Sequence, residues 1–440
     1  MVITALGTAG AHGCGRASLE RALAAGATPP TTEVDRGAGF HRPGGARRAL
    51  LTPVADLAPW LPAAEARRMG PPSRLAVAAA RMALAEAGLD AAQLAGPGTA
   101  VVVSTAFGPC SFSEALLRQV LRDGPEAASP YLFTESVANA PAAQIAIACG
   151  ARGANVTLCQ REAGPLLAVA RGAAAVAAGR AERALVGAVD EMSPLLHAVL
   201  DRFGALARGR SRPARGARQE GGGGGEIGRP FDRRRDGVMA ADGATVLMLE
   251  SAAAAARHGR APLARVLGWG SAFDPSAPPT GWGGDGEMLG RALRRLLLRL
   301  DAAGAMPVIA AVDAIDAGGE PLAPGPLAAI DRIVSGASGS RAGDRLEARV
   351  LRAAWGGAPL PPVLAPKGVT GEHGGGFLAA AVLAAAAAGV AAAPAAGFGD
   401  PDPDLGVSPH DGSPLPPPGA LLASSLAAGG AASWLVLGRP

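Results

Sequence analysis

Lysine is all but missing from this sequence: Lys367 stands alone against 40 arginines, as a GC-rich coding bias would give. Aromatic residues make up only 3% of the chain, which argues against a stacking platform for nucleic acid. The four cysteines, Cys14, Cys110, Cys149 and Cys159, form no C-x-x-C pair and no ligand cluster. A disulfide scaffold, a bound metal and a cofactor are therefore not expected, and a reducing cytoplasm is the expected setting. The start, Met1 to Gly7, has no charged leader and no long apolar core, so it reads as a first strand and not as a signal peptide. Phe377 to Phe398 is uncharged and about as long as a membrane span. It is mostly alanine and is broken by Gly389, Pro394 and Gly397, so no membrane span is expected. A net charge of +4 suits an acidic partner but discriminates little.

What is present is enough apolar residue for two core-forming units, with 49% hydrophobic content over 440 residues, much of it alanine. The most informative stretch is Asn155-Val-Thr-Leu-Cys159, followed by Gln160-Arg-Glu-Ala-Gly-Pro165 and an apolar run to Ala178. It predicts strand, sharp turn and helix. Pro165 suits a first helical turn and Gly179 a helix end. Such a turn presents one side chain at a helix N-terminus.

That unit resembles the nucleophile turn of the β-ketoacyl-ACP synthases of the thiolase superfamily, the condensing enzymes of fatty-acid and polyketide synthesis. The likeness runs along nearly the whole chain. Met1 to Gly7 is similar to the family's V-x-I-T-G-x-G opening. Gly179 to Asp190 resembles G-x-A-D-x-x-x-A-G-G-x-E, and Arg229-Pro-Phe-Asp232 with Arg235-Asp-Gly237 and Asp242-Gly-Ala244 resembles R-P-F-D-x-x-R-D-G-x-x-x-G-E-G-A-G. The resemblance implies a thiolase-like α/β fold in which two similar halves, residues 1–250 and 251–440, stack as an αβαβα sandwich.

By the family's spacing the nucleophilic cysteine falls on Glu162, and the closing acidic residue on Asp190. Cys159 lies three residues early and is expected to be a small buried residue, with nucleophilic service needing a re-registered turn. The first family histidine, from H-G-T-x-T-x-x-G-D-x-x-E, falls on Gly336. The second, from K-x-x-x-G-H, falls on Glu372, with His373 one residue late and expected to be partly exposed beside a Gly-rich bend. A carboxylate fits a helix N-terminus but forms no transferable thioester, and that location is expected to lower its pKa. Lys367 takes the family's lysine position and is expected to pair with Glu347. The gating phenylalanine is replaced by Ala428, while Phe107 and Phe203 fall where the family lines its acyl channel. The segments Thr105 to Gly108 and Glu135 to Pro141 match channel and dimer-interface segments, and the Arg-rich and Gly-rich stretch from Arg208 to Gly228 reads as a flexible loop or a docking element.

Whether the chain is an enzyme stays open at this point. The leading expectation is a ketosynthase-like subunit of the chain-length-factor type, pairing with an active ketosynthase and with acyl carrier protein and shaping the acyl tunnel. A second is an acyl-thioester enzyme, either a malonyl-ACP decarboxylase or a divergent 3-oxoacyl-ACP synthase using Cys159. A third is a non-catalytic homodimer that binds carrier protein.

Overall fold

A computed structural model of the chain describes residues 1–37, 40–209, 225–302, 330–386 and 394–440. Ten strands build the frame: β1 (Val2–Gly10), β2 (Thr99–Ser104), β3 (Asn155–Leu158), β4 (Arg183–Asp190), β5 (Gly243–Glu250), β6 (Ala264–Phe273), β7 (Arg332–Ser335), β8 (Val363–Leu364), β9 (Ala420–Leu426) and β10 (Ala431–Gly438). The helices that matter below are α1 (Pro71–Glu86), α2 (Cys110–Asp123), α3 (Pro130–Ser136), α4 (Ala140–Cys149), α5 (Gly164–Ala177), α6 (Pro194–Arg202), α7 (Gly286–Ala302), α8 (Arg341–Trp355) and α9 (Gly374–Ala385).

The strand order shows an internal repeat. One half runs β3-β2-β4-β5-β1 and the other β8-β7-β9-β10-β6. In each, the first three strands are parallel and the last two pairings antiparallel. The halves meet where Val2 and Ile3 pair with Arg265 and Ala264. Helices α1 and α4 cover the outside of the first sheet, and α7 and α8 that of the second. Helices α5 and α9 lie between the sheets and touch strands of both. This is the five-layer sandwich that the resemblance implied.

Period-two alternation explains the layers. In β10, Leu435 and Leu437 join the central core while Trp434 and Val436 join the outer core under α7 and α8. Each such fully buried side chain contributes roughly 1.5–3 kcal/mol. The alanine richness of α9 has the same origin. Sandwiched between two sheets, it is buried from Gly375 to Ala385, and a Cβ on Gly375 would come within 2.8 Å of the Thr245 backbone nitrogen. The uncharged run that mimics a membrane span therefore begins as this short buried helix. No described helix is long and apolar enough to cross a membrane.

Candidate functional site

The predicted strand, turn and helix fold as β3, a single turn over Arg161–Ala163, and α5. Arg161 has φ +46°, a left-handed conformation that a residue with a Cβ adopts only at a cost, and the kink turns Glu162 towards the second half. Glu162 accepts twice from the β9–β10 region. Its main-chain oxygen takes the Ser425 hydroxyl at 2.6 Å, and its carboxylate Oε2 takes the Ala428 N–H at 3.3 Å. Cys159, expected to be buried, is exposed instead, because β3 has already ended at Leu158 on the sheet's outer edge.

The repeat places a second glutamate symmetrically. Glu162 precedes Gly164, the first residue of α5, by the same two residues that separate Glu372 from Gly374, the first residue of α9. The N-termini of the two central helices thus bring two carboxylates together. Burial first, and the Glu372 carboxylate second, push the Glu162 carboxyl up to about 7, against the pull of Lys367 and Arg161. This reverses the lowering expected from the helix end. The carboxylate accepts from Ala428 and not from the N–H groups of its own helix, so desolvation outweighs the dipole.

Lys367 is buried, with its ammonium 2.6 Å from Glu372 Oε1 and 5.4 Å from the centre of the Phe377 ring. Its ion-pair partner is therefore Glu372, and not Glu347 as expected. Glu347 is itself buried and accepts from the Ser335 hydroxyl at 3.1 Å. Burial pushes its carboxyl up to about 7, against the pull of the serine hydroxyls and Lys367.

The remaining motif residues hold the frame. Gly336 packs closely against β9, where a Cβ would sit 3.0 Å from the Ser424 carbonyl oxygen and 3.2 Å from the Ser425 Cα, so any side chain there requires the strand to give by a few tenths of an ångström. His373 is buried, not partly exposed: its Nδ1 accepts the Gly376 N–H at 3.2 Å and caps α9. Burial, and the nearby His12 and Lys367, lower its pKa to about 3, so it is neutral, with the proton on Nε2. Asp190 accepts from the Ala106 and Gly374 N–H groups at 2.7 and 3.0 Å, joining the 105–108 turn to α9. Asp232 takes the N–H groups of Gly399 and Asp400, and Asp344 that of Phe231. Glu135 caps α1 through the Gly70 N–H.

Glu162, Asp190, Glu372, His373 and Ala428 line a cavity of about 540 Å³. One arm is apolar, formed by Phe107, Met192, Leu196, Val199, Leu200 and Phe203. The lining also includes Thr280, Trp282, Ser340 and Arg341. Phe107 and Phe203 also reach the surface, at 45% and 74% exposure. Nearby helices show further bare apolar side chains: Leu117 and Leu121 on α2, Phe133 on α3 and Ile147 on α4. Most of the 208–228 stretch lies outside the described residues. Among the described residues no group of three or more His, Cys, Asp and Glu could hold a metal ion.

Residues 44–255 match the model of the β-ketoacyl synthase N-terminal domain. The solved structure of the ishigamide ketosynthase/chain length factor superposes with a TM-score of 0.80 at 26% identity, covering 100% of this chain and 98% of that one. The chain is a β-ketoacyl synthase homologue. Among its relatives are the two ketoacyl synthase subunits of the tetracenomycin polyketide synthase of Streptomyces glaucescens. The alpha subunit is 27% identical over 92% of this chain and 88% of its own length, and the beta subunit 29% over 76% and 72%. The match to the 3-oxoacyl-[acyl-carrier-protein] synthase 2 of Vibrio harveyi, at 26% identity, spans only about half of each chain, 52%.

The homologue thus carries Glu162, Gly336 and Glu372 where the family resemblance sets a cysteine and two histidines. Sequence reasoning reached those positions but missed that the two glutamates are equivalent under the repeat, although Glu162-Ala-Gly164 and Glu372-His-Gly374 are visible in the sequence after short apolar runs. It also missed Trp282 on the cavity wall, for which no motif gave a signal.

Proposed function

We propose that this chain is a non-condensing subunit of the chain-length-factor type in fatty-acid or polyketide biosynthesis, which dimerises with an active ketosynthase and shapes the acyl tunnel. The observation that carries this reading is Glu162 at the head of α5, hydrogen-bonded to the Ala428 N–H. A carboxylate there forms no transferable thioester, so the chain cannot be acylated at that position. The similarity to the ishigamide and tetracenomycin proteins supports the pairing. So do the bare apolar side chains of α2 to α4, of which α4 packs beside the edge strand β3, and which a partner would cover. Acyl carrier protein is the second partner on this reading, and the cytoplasm its setting.

The test is co-expression with a candidate active ketosynthase. A stable complex, and acyl transfer from carrier protein to the partner's cysteine but never to this chain, are expected. Acylation of the isolated chain, abolished by C159A, would overturn the reading.

One observation favours the second reading, an acyl-thioester enzyme such as a malonyl-ACP decarboxylase. The Glu162 carboxyl is raised to about 7, a value suited to proton transfer near neutrality.

A further inference from the structure

Two segments of the cavity wall near Glu162 are laced to each other by main-chain hydrogen bonds, and one of them packs on the start of α8. In the β9–β10 turn, residues 427–430, the Gly429 N–H donates to the Gly281 carbonyl at 2.7 Å and the Gly430 carbonyl accepts from the Asp274 N–H at 2.8 Å. The 274–285 loop is tied in turn by buried Asp274, which accepts from the Ser276 and Asp285 N–H groups at 2.9 and 3.1 Å. The loop lays the Trp282 indole on the first turn of α8, so close that a Cβ on Gly343 would meet it at 2.7 Å. The wall meets α5 through the Ser425 and Ser433 hydroxyls, which donate to the main-chain oxygens of Glu162 and Ala163, and through the Glu162 carboxylate, which holds the tip of the turn at Ala428.

We propose that Glu162 is a latch, a positioning residue whose carboxylate fastens the 427–430 turn, and through it the 274–285 loop with Trp282, over the cavity. The serine contacts use main-chain oxygens and survive any substitution at Glu162, but they lie on the strands, short of the tip. The tip carries Gly429 and Gly430 at φ +93° and +96°, and among the described residues Glu162 is the side chain of the first half that hydrogen-bonds to it. On this account the glutamate does structural work: it sets how wide the cavity stands open on the side of Trp282. The inference goes beyond the subunit assignment and does not depend on it.

The test is amide hydrogen exchange on the purified full chain. E162A is expected to raise exchange roughly threefold to tenfold in peptides covering 427–430 and 278–283, the effect of losing one ordinary hydrogen bond. E162D, whose carboxylate falls one methylene short of Ala428, should behave the same way. E162Q keeps an acceptor oxygen at the same reach and should stay near the wild type. Peptides from the far end of α5 and from α7 should not change. Unchanged exchange at 427–430 in E162A and E162D would overturn the latch, as would loss of protection spread evenly across α5 and α7. Should E162A not fold, E162D against E162Q decides, and equal exchange in those two counts against the latch. Failure of the chain to pair with a ketosynthase would leave these outcomes untouched, so the two proposals fail separately.

Discussion

Replacing Lys367 with methionine is the sharpest test of how the cavity floor is held. The substitution keeps an unbranched side chain of similar length against Phe377 and removes only the ammonium. Glu372 then loses its 2.6 Å partner while still facing the Glu162 carboxyl. Breaking a buried pair from one side costs about 3–5 kcal/mol. The 18% exposure of the Glu372 side chain lets water or a proton relieve part of that penalty, so about 3 kcal/mol is expected. E372Q keeps an amide oxygen that can still accept from the Lys367 ammonium, and it removes the Glu372 charge that pushes the Glu162 carboxyl up. E372Q should therefore cost less than K367M. The double variant K367M/E372Q carries no unpaired charge and should be more stable than K367M alone. Urea unfolding followed by far-ultraviolet circular dichroism and tryptophan fluorescence measures all three, with coincident transitions required before a free energy is drawn. The reasoning is refuted if K367M lies within about 1 kcal/mol of the wild type, or if the double variant is less stable than K367M.

Four further outcomes are expected. The Glu347 carboxyl keeps its proton in the folded chain to about 7 against an ordinary 4.5. The folded state therefore binds more protons than the unfolded one between those values, and stability falls as pH rises through that window. E347Q should remove up to about 3 kcal/mol of that slope, read from unfolding midpoints at several pH values. His373 works in the opposite sense. Its pKa drops from 6.5 to about 3, so stability is full above 6.5 and is lost as pH falls towards 3, and H373N, which keeps a helix-capping acceptor, should flatten that limb. Rebuilding the family site as E162C/E372H/G336H should not restore condensation, because a histidine at 336 meets Ser424 and should cost roughly 1–3 kcal/mol in thermal or urea unfolding. Finally, L121D and F133D, at positions 85% and 60% exposed, should weaken association with a partner in sedimentation while leaving the unfolding midpoint of the isolated chain unchanged.

The fold was legible because its cues are local and repeated. The β-branched run at 155–158, Pro165 and Gly179 delimit a strand and a helix, and the Arg229 to Asp232 motif ties the chain at both ends of a contact: Phe231 N–H donates to Asp344, while Asp232 accepts from the Gly399 and Asp400 N–H groups. The positions of Glu162, Gly336 and Glu372 followed from motif spacing. What sequence did not give were outcomes set by competition between distant groups. Lys367 pairs with Glu372, five residues on, while Glu347 turns to a serine hydroxyl, a choice of partner that motif spacing does not set. The Glu162 pKa depends on the balance of burial against a helix end, and Cys159 turned outward because β3 is an edge strand four residues long. The burial of His373 comes from its role as the cap of α9, which a one-residue offset in a motif does not reveal.

The most direct test of the account measures condensation and CO₂ release from malonyl-carrier protein and an acyl-carrier donor, first with this chain alone and then with an active ketosynthase added. Silence alone and activity only in the pair, unchanged by C159A, is the predicted result. Turnover by the isolated chain would contradict it, and would turn attention to Cys159, Glu162 and His373 as working groups.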